Sequence, residues 1–106
     1  MINYNILPKS IIDRSISLKE FGILELAWDV DDIKNIIDIF NASRIPILGG
    51  DVYRIINGKV FQTYDSWYIN KSNEDDFYRK SNEKAILYIL NYEQRNEGQF
   101  VYTIVF

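Results

Sequence analysis

Residues 46–68 read Pro46-Ile47-Leu48-Gly49-Gly50-Asp51-Val52-Tyr53-Arg54-Ile55-Ile56-Asn57-Gly58-Lys59-Val60-Phe61-Gln62-Thr63-Tyr64-Asp65-Ser66-Trp67-Tyr68. Asn57-Gly58 accepts the positive φ values of a type I′ turn, and both flanks are rich in Val, Ile, Tyr, Phe and Thr, so the stretch predicts a β-hairpin. A two-residue loop also sets the register. Ile55 should face Val60, Tyr53 should face Gln62 and Asp51 should face Tyr64 on one side of the ribbon, with Arg54–Phe61 and Val52–Thr63 on the other. The first side is the more apolar and is expected to point toward the core.

Working outward, Gly49-Gly50 before a strand predicts a sharp bend, a bulge or a backbone approached closely by something else. Upstream, Asp29 reads as an N-cap with Asp31 and Asp32 in the first turn, where carboxylates favour the exposed amides. Ile33, Ile36, Ile37 and Phe40 then form one apolar helical stripe. Ile45 precedes Pro46, so this helix should end between Ala42 and Arg44. Before it, Ile23–Trp28 alternates as a half-buried strand with Leu24, Leu26 and Trp28 on one face, and Pro8–Ser17 suggests a short helix. Downstream, Asn73–Lys80 reads as a loop or single helical turn. Ser81 or Asn82 then caps a second long helix bearing Ala85, Ile86, Ile89 and Leu90, which Gly98 ends. Phe100–Phe106 is apolar on both faces and uncharged, which predicts an interior strand covered on both sides. The expected architecture is a single α+β domain over 1–106. It is an antiparallel sheet of about four or five strands that includes the hairpin centrally, with two main helices packed on it.

Composition narrows the chemistry. The 106 residues contain neither His nor Cys, which removes disulfides, thiolate nucleophiles, Ser-His-Asp and Cys-His arrangements, and most transition-metal sites. No catalytic residue, metal ligand set or cofactor is expected. The formal charge is −3, and Glu20, Glu25, Asp29, Asp31 and Asp32 form a segment without Lys or Arg. Such a field disfavours nucleic acid and suits a basic partner. No stretch approaches the roughly 18 apolar residues of a membrane span, and the N-terminal residues lack a secretory pattern. A cytoplasmic protein is expected.

Candidate site residues gather on and around the hairpin. Gly-Gly-Asp resembles fragments of phosphate-cradling loops, but the further glycines or lysine those need are missing and a strand follows. Asp51 and Asp65, brought together by the hairpin, could act as acid and base or hold a hard cation, the arrangement of a small carboxylate-dependent hydrolase or cation-binding domain. Tyr53, Tyr64, Trp67 and Tyr68 cluster there too. They read either as core packing or, if exposed, as interface hot spots, and the loop-side position of Trp67 and Tyr68 favours the second.

The segment Ile47-Leu48-Gly49-Gly50-Asp51-Val52-Tyr53, followed by Tyr64-Asp65-Ser66-Trp67-Tyr68 and preceded by an amphipathic helix, resembles the immunity protein 40 family of bacterial polymorphic toxin systems. The resemblance runs from about Gly22 onward. It implies a small cytosolic inhibitor that binds a cognate toxin domain without doing chemistry itself. On that reading the partner-binding residues are Asp29, Asp31, Asp32, Asp51, Tyr53, Asp65, Trp67 and Tyr68, while Gly49, Gly50, Asn57 and Gly58 shape the hairpin. A generic interaction adaptor and the carboxylate-dependent enzyme stand as alternatives, and self-association stays open.

Overall fold

The computed structural model describes residues 3–106. The hairpin forms as expected at its tip: Asn57 and Gly58 take φ values of 52° and 78° between β3 (Gly49–Ile56) and β4 (Lys59–Tyr68). Ile56–Lys59, Ile55–Val60, Arg54–Phe61 and Tyr53–Gln62 pair in the predicted register. Beyond them the ladder shifts by two residues. Asp51 lies opposite Ser66 rather than Tyr64, Gly50 opposite Trp67 and Gly49 opposite Tyr68. Thr63, Tyr64 and Asp65 bulge out against Val52, whose carbonyl accepts a 2.7 Å bond from Thr63 Oγ1.

The glycine pair supplies the physical reason for the shift. A Cβ on Gly50 would sit 2.4 Å from the Trp67 ring and 2.1 Å from the Thr103 carbonyl oxygen, and one on Gly49 would sit 2.4 Å from the Trp67 carbonyl. The register that lays the Trp67 indole across Gly50 therefore wins over an unbroken ladder. Gly49-Gly50 is a site of close backbone approach, one of the three roles the sequence allowed.

The other elements are α1 (Lys9–Asp13), β1 (Ile16–Ser17), a 3₁₀ turn (Lys19–Phe21), β2 (Leu26–Ala27), α2 (Val30–Ala42), α3 (Phe77–Arg95) and β5 (Gln99–Tyr102). Among the described residues the strands make two antiparallel sheets, β1-β2 and β4-β3-β5, so the fold is α+β with the hairpin strand β3 central. No helix among the described residues is long and apolar enough to cross a membrane.

Both faces of the larger sheet are covered. Val52, Phe100 and Tyr102 join Ile33, Ile36, Ile37 and Phe40 of α2 and Ala85 and Ile89 of α3 in the main core. Tyr53 and Val101 form a smaller cluster with Leu18 and Ala27, flanked by Ile55 and Val60. The hairpin face expected to meet the main core thus meets the N-terminal segment instead. The helices pack on the opposite face because β5 places Phe100 and Tyr102 beside Val52 there, a contribution the hairpin alone does not reveal.

α2 follows the sequence closely. Asp29 Oδ1 accepts the Asp32 amide at 2.9 Å, and all four stripe residues are buried, each worth about 1.5–3 kcal/mol of transfer free energy. The strand expected over Ile23–Trp28 shrinks to Leu26–Ala27, and Leu24 is 77% exposed. Gly22, at φ 72°, closes the 3₁₀ turn, and the Ile23 amide returns to the Leu18 carbonyl, which breaks the alternation. Residues 9–13 form the helix expected in Pro8–Ser17, with Ile16 and Ser17 extended instead as β1. Phe100–Val101–Tyr102 is covered on both faces as expected, but the strand ends at Tyr102. Its outer edge is closed there by Trp28, whose amide donates to the Tyr102 carbonyl at 3.0 Å and whose carbonyl accepts the Tyr102 amide at 2.7 Å.

α3 begins at Phe77, one turn before the expected cap, so Ser81 and Asn82 are buried inside it. Ser81 Oγ donates to the Ile47 carbonyl, Asn82 Oδ1 accepts the Ile47 amide at 2.9 Å, and Asn82 Nδ2 donates to the Ile45 carbonyl at 3.1 Å and to Asn41 Oδ1 at 3.2 Å. These two side chains hold the segment leading into β3. Asn82→Leu should cost about 1–3 kcal/mol, measured by urea denaturation, because the buried Ile47 amide would lose its acceptor.

Candidate protein-binding surface at the β4 bulge

The bulge does more than relieve the ladder. It raises Tyr64 out of the sheet at φ 64°, left-handed for a non-glycine residue, with 88% of the side chain's residue surface exposed. Beside it opens a recess of about 260 Å³ lined by Asp51, Val52, Tyr53, Gln62, Tyr64 and Asp65. Asp51 and Asp65 therefore do share a site, though through the bulge and not through the pairing the sequence suggested. Asp65 Oδ2 accepts the Tyr92 hydroxyl at 2.7 Å, and its amide donates to Thr63 Oγ1 at 3.1 Å, so α3 and the bulge both hold it. Tyr68 is 68% exposed, with its carbonyl bonded to Lys84 Nζ at 3.0 Å.

The recess and the nearby Glu25, which does not line it, are electrostatically unbalanced. Burial raises the Glu25 carboxyl above its usual range and the Asp51 charge raises it further, while burial, Asp51 and Glu25 together raise the Tyr53 hydroxyl. The ion pairs among the described residues, Lys9–Asp13, Arg14–Asp32 and Lys80–Glu74, leave Glu25, Asp51 and Asp65 without one. A carboxyl whose pKa is raised by folding favours the native state below its unfolded pKa, and that contribution is lost as pH rises through the folded value. Glu25→Gln should therefore raise stability at pH 7 relative to the parent chain. The gain should fade as pH falls through the raised folded value and be gone below the usual glutamate value, about 4.3; melting curves across pH read this out.

The remaining candidate residues lie elsewhere or inside. Trp67 is only 6% exposed, stacked on Tyr88 at 5.1 Å. Its indole N–H is buried without a hydrogen-bond partner among the described residues, so apolar packing outweighs that cost. Tyr53 is also buried, stacked on Phe21. Neither presents a hot-spot surface, which corrects the exposed aromatic reading for both. The reason is that α3 closes over Trp67 and the N-terminal segment closes over Tyr53, both from positions distant in sequence. Asp32 is buried too, held by Arg14 through three contacts of 2.7–3.1 Å, so its carboxylate is already paired within the fold. Asp29 is the helix cap. Asp31 is exposed beside it, and none of these three aspartates lines the recess. Among the described residues no group of three or more acidic side chains is arranged to hold a metal ion.

Sequence reasoning placed Tyr64 in the aromatic cluster and Glu25 in the acidic segment without naming either as a partner-binding residue, and it left Gln62 and Val52 out of the site. The available signal was length: once Gly49-Gly50 must oppose Trp67-Tyr68, β4 carries two residues more than β3, and they have to leave the ladder.

A family model for immunity protein 40 matches residues 17–106. The chain belongs to the immunity protein 40 family. No curated protein and no solved structure matches it. The matched span starts in β1, so it takes in the recess, the bulge, Glu25 and both covering helices, while α1 and Arg14 precede it.

Proposed function

We propose that this immunity protein neutralises a cognate polymorphic-toxin domain in the cytoplasm by stoichiometric binding, without catalysis, through the surface around the β4 bulge. Tyr64 and Tyr68 would supply rigid aromatic contact area, and Asp51, Asp65 and Glu25 would meet basic groups of the toxin. The observation that carries this reading is Tyr64: a large aromatic held almost fully in solvent, at a backbone conformation that costs about 1–3 kcal/mol. Nothing in the fold requires an aromatic there, whereas interface hot spots are enriched in Tyr. Family membership supports the class of partner. Asp29 and Asp31 remain candidates for a more distant acidic contact that steers association.

The test is co-expression with the toxic domain encoded beside this chain, scoring survival and co-purification. Rescue with a one-to-one complex is the expected result. Tyr64→Ala should then weaken binding about 30-fold, a hot-spot loss of about 2 kcal/mol, with the melting temperature unchanged. Full affinity in that variant would move the interface elsewhere, and failure of rescue with both chains folded would remove the pairing.

A further inference from the structure

β4 is the outer strand of the β4-β3-β5 sheet. The two-residue loop makes Ile56–Lys59 and Arg54–Phe61 the hydrogen-bonded pairs of the hairpin, so by alternation Tyr53 and Ile55 turn their backbone groups away from β4 toward β5. Their β4 partners, Val60 and Gln62, must then turn their own N–H and C=O groups to the open side, as alternation in an antiparallel ladder requires. Among the described residues these groups find no backbone partner. The opposite edge of the sheet is treated differently, since Trp28 closes it at Tyr102. The bulge ends the free stretch just after Gln62, which limits indiscriminate edge pairing while leaving a short, regular template next to the recess.

We infer that an extended, basic segment of the toxin adds to the free edge of β4 at Lys59–Gln62, setting a Lys or Arg side chain into the recess beside Asp51. This rests on the immunity reading above and specifies how that surface is used. Strand addition places alternate side chains of the incoming segment on one face. On the face shared by Tyr53 and Gln62, those side chains reach the recess, where Asp51 and Asp65 have no cation among the described residues; burial and the Asp51 charge hold the Glu25 carboxyl above its usual range. A second copy of this chain is the poorer occupant, because it carries the same net charge of −3 and the same acidic surface.

Amide hydrogen exchange on the complex purified from co-expression tests the inference. Slowed exchange at Val60 and Gln62, relative to the free immunity protein, is expected. Gln62→Pro removes an outward N–H without breaking a β3–β4 bond, and should weaken the complex at least about tenfold with the thermal melt retained. Glu25→Gln combined with Asp51→Asn should also weaken it and flatten its salt dependence. A stable complex in which both amides exchange as in the free protein overturns strand addition and leaves the immunity reading standing. Absence of any complex overturns both. If Gln62→Pro does not fold, the exchange measurement on the parent complex decides alone.

Discussion

Trp28→Ala should lower the stability of this chain by about 3–5 kcal/mol in urea denaturation, a large share of the total of about 5–15 kcal/mol typical of a domain this size. The side chain is fully buried in the main core. Its indole N–H donates to the Ile11 carbonyl at 2.8 Å, and Tyr4 packs edge-on against the ring at 5.4 Å. Removing the ring would leave a cavity, leave the Ile11 carbonyl with only the Arg14 amide as donor, and detach α1 and the N-terminal segment from the sheet at once. The backbone bridge to Tyr102 does not depend on the side chain and would survive, so the edge of β5 should stay closed while the core beneath it loosens. A loss under about 1 kcal/mol would mean that the N-terminal segment does not dock as described.

Gly50→Ala should be comparably damaging, at about 3 kcal/mol or more, although it adds a single methyl group. Overpacking usually costs about 1–3 kcal/mol, because side chains can shift. Here one of the two clashing groups cannot: the Thr103 carbonyl oxygen, 2.1 Å from the new Cβ, is backbone fixed by the β3–β5 region. The other clash, with the Trp67 ring, would push the indole off Tyr88. Near-ultraviolet circular dichroism should therefore lose its aromatic signal along with the drop in denaturation midpoint. Gly58→Ala is the control, since its Cβ would meet nothing within 4 Å and its φ of 78° alone should cost about 1–2 kcal/mol. Equal effects of the two substitutions would show that backbone conformation, and not the close approach of Trp67 and Thr103, explains the glycine pair.

The same residues separate what was legible in the chain from what was not. The Asn57-Gly58 turn, the Asp29 cap, the Ile33–Phe40 stripe and the α+β class follow from spacings of a few residues, because turn chemistry, capping and helical periodicity are local. The Gly-Gly-Asp-Val segment and its surroundings also carried the resemblance to the immunity protein 40 family, to which the chain belongs. Local spacing misled where a distant segment competed. Ser81 and Asn82 have the composition of a cap, yet they lie inside α3 because the backbone at Ile45 and Ile47 needs buried partners. Leu24 continues an alternating pattern, yet it lies in solvent because the 3₁₀ turn before it spends the register.

The candidate surface shows the division most sharply. Asp51, Asp65 and Tyr68 were readable as hairpin residues, but which aromatics stay in solvent was settled by α3 and β5 covering Trp67 and by the N-terminal segment covering Tyr53. By itself, then, the sequence determined the hairpin, the two main helices and the family. The tertiary structure alone decided the two-residue bulge, the choice of sheet face for the helices and the exposure of Tyr64, because each depends on contacts between residues tens of positions apart.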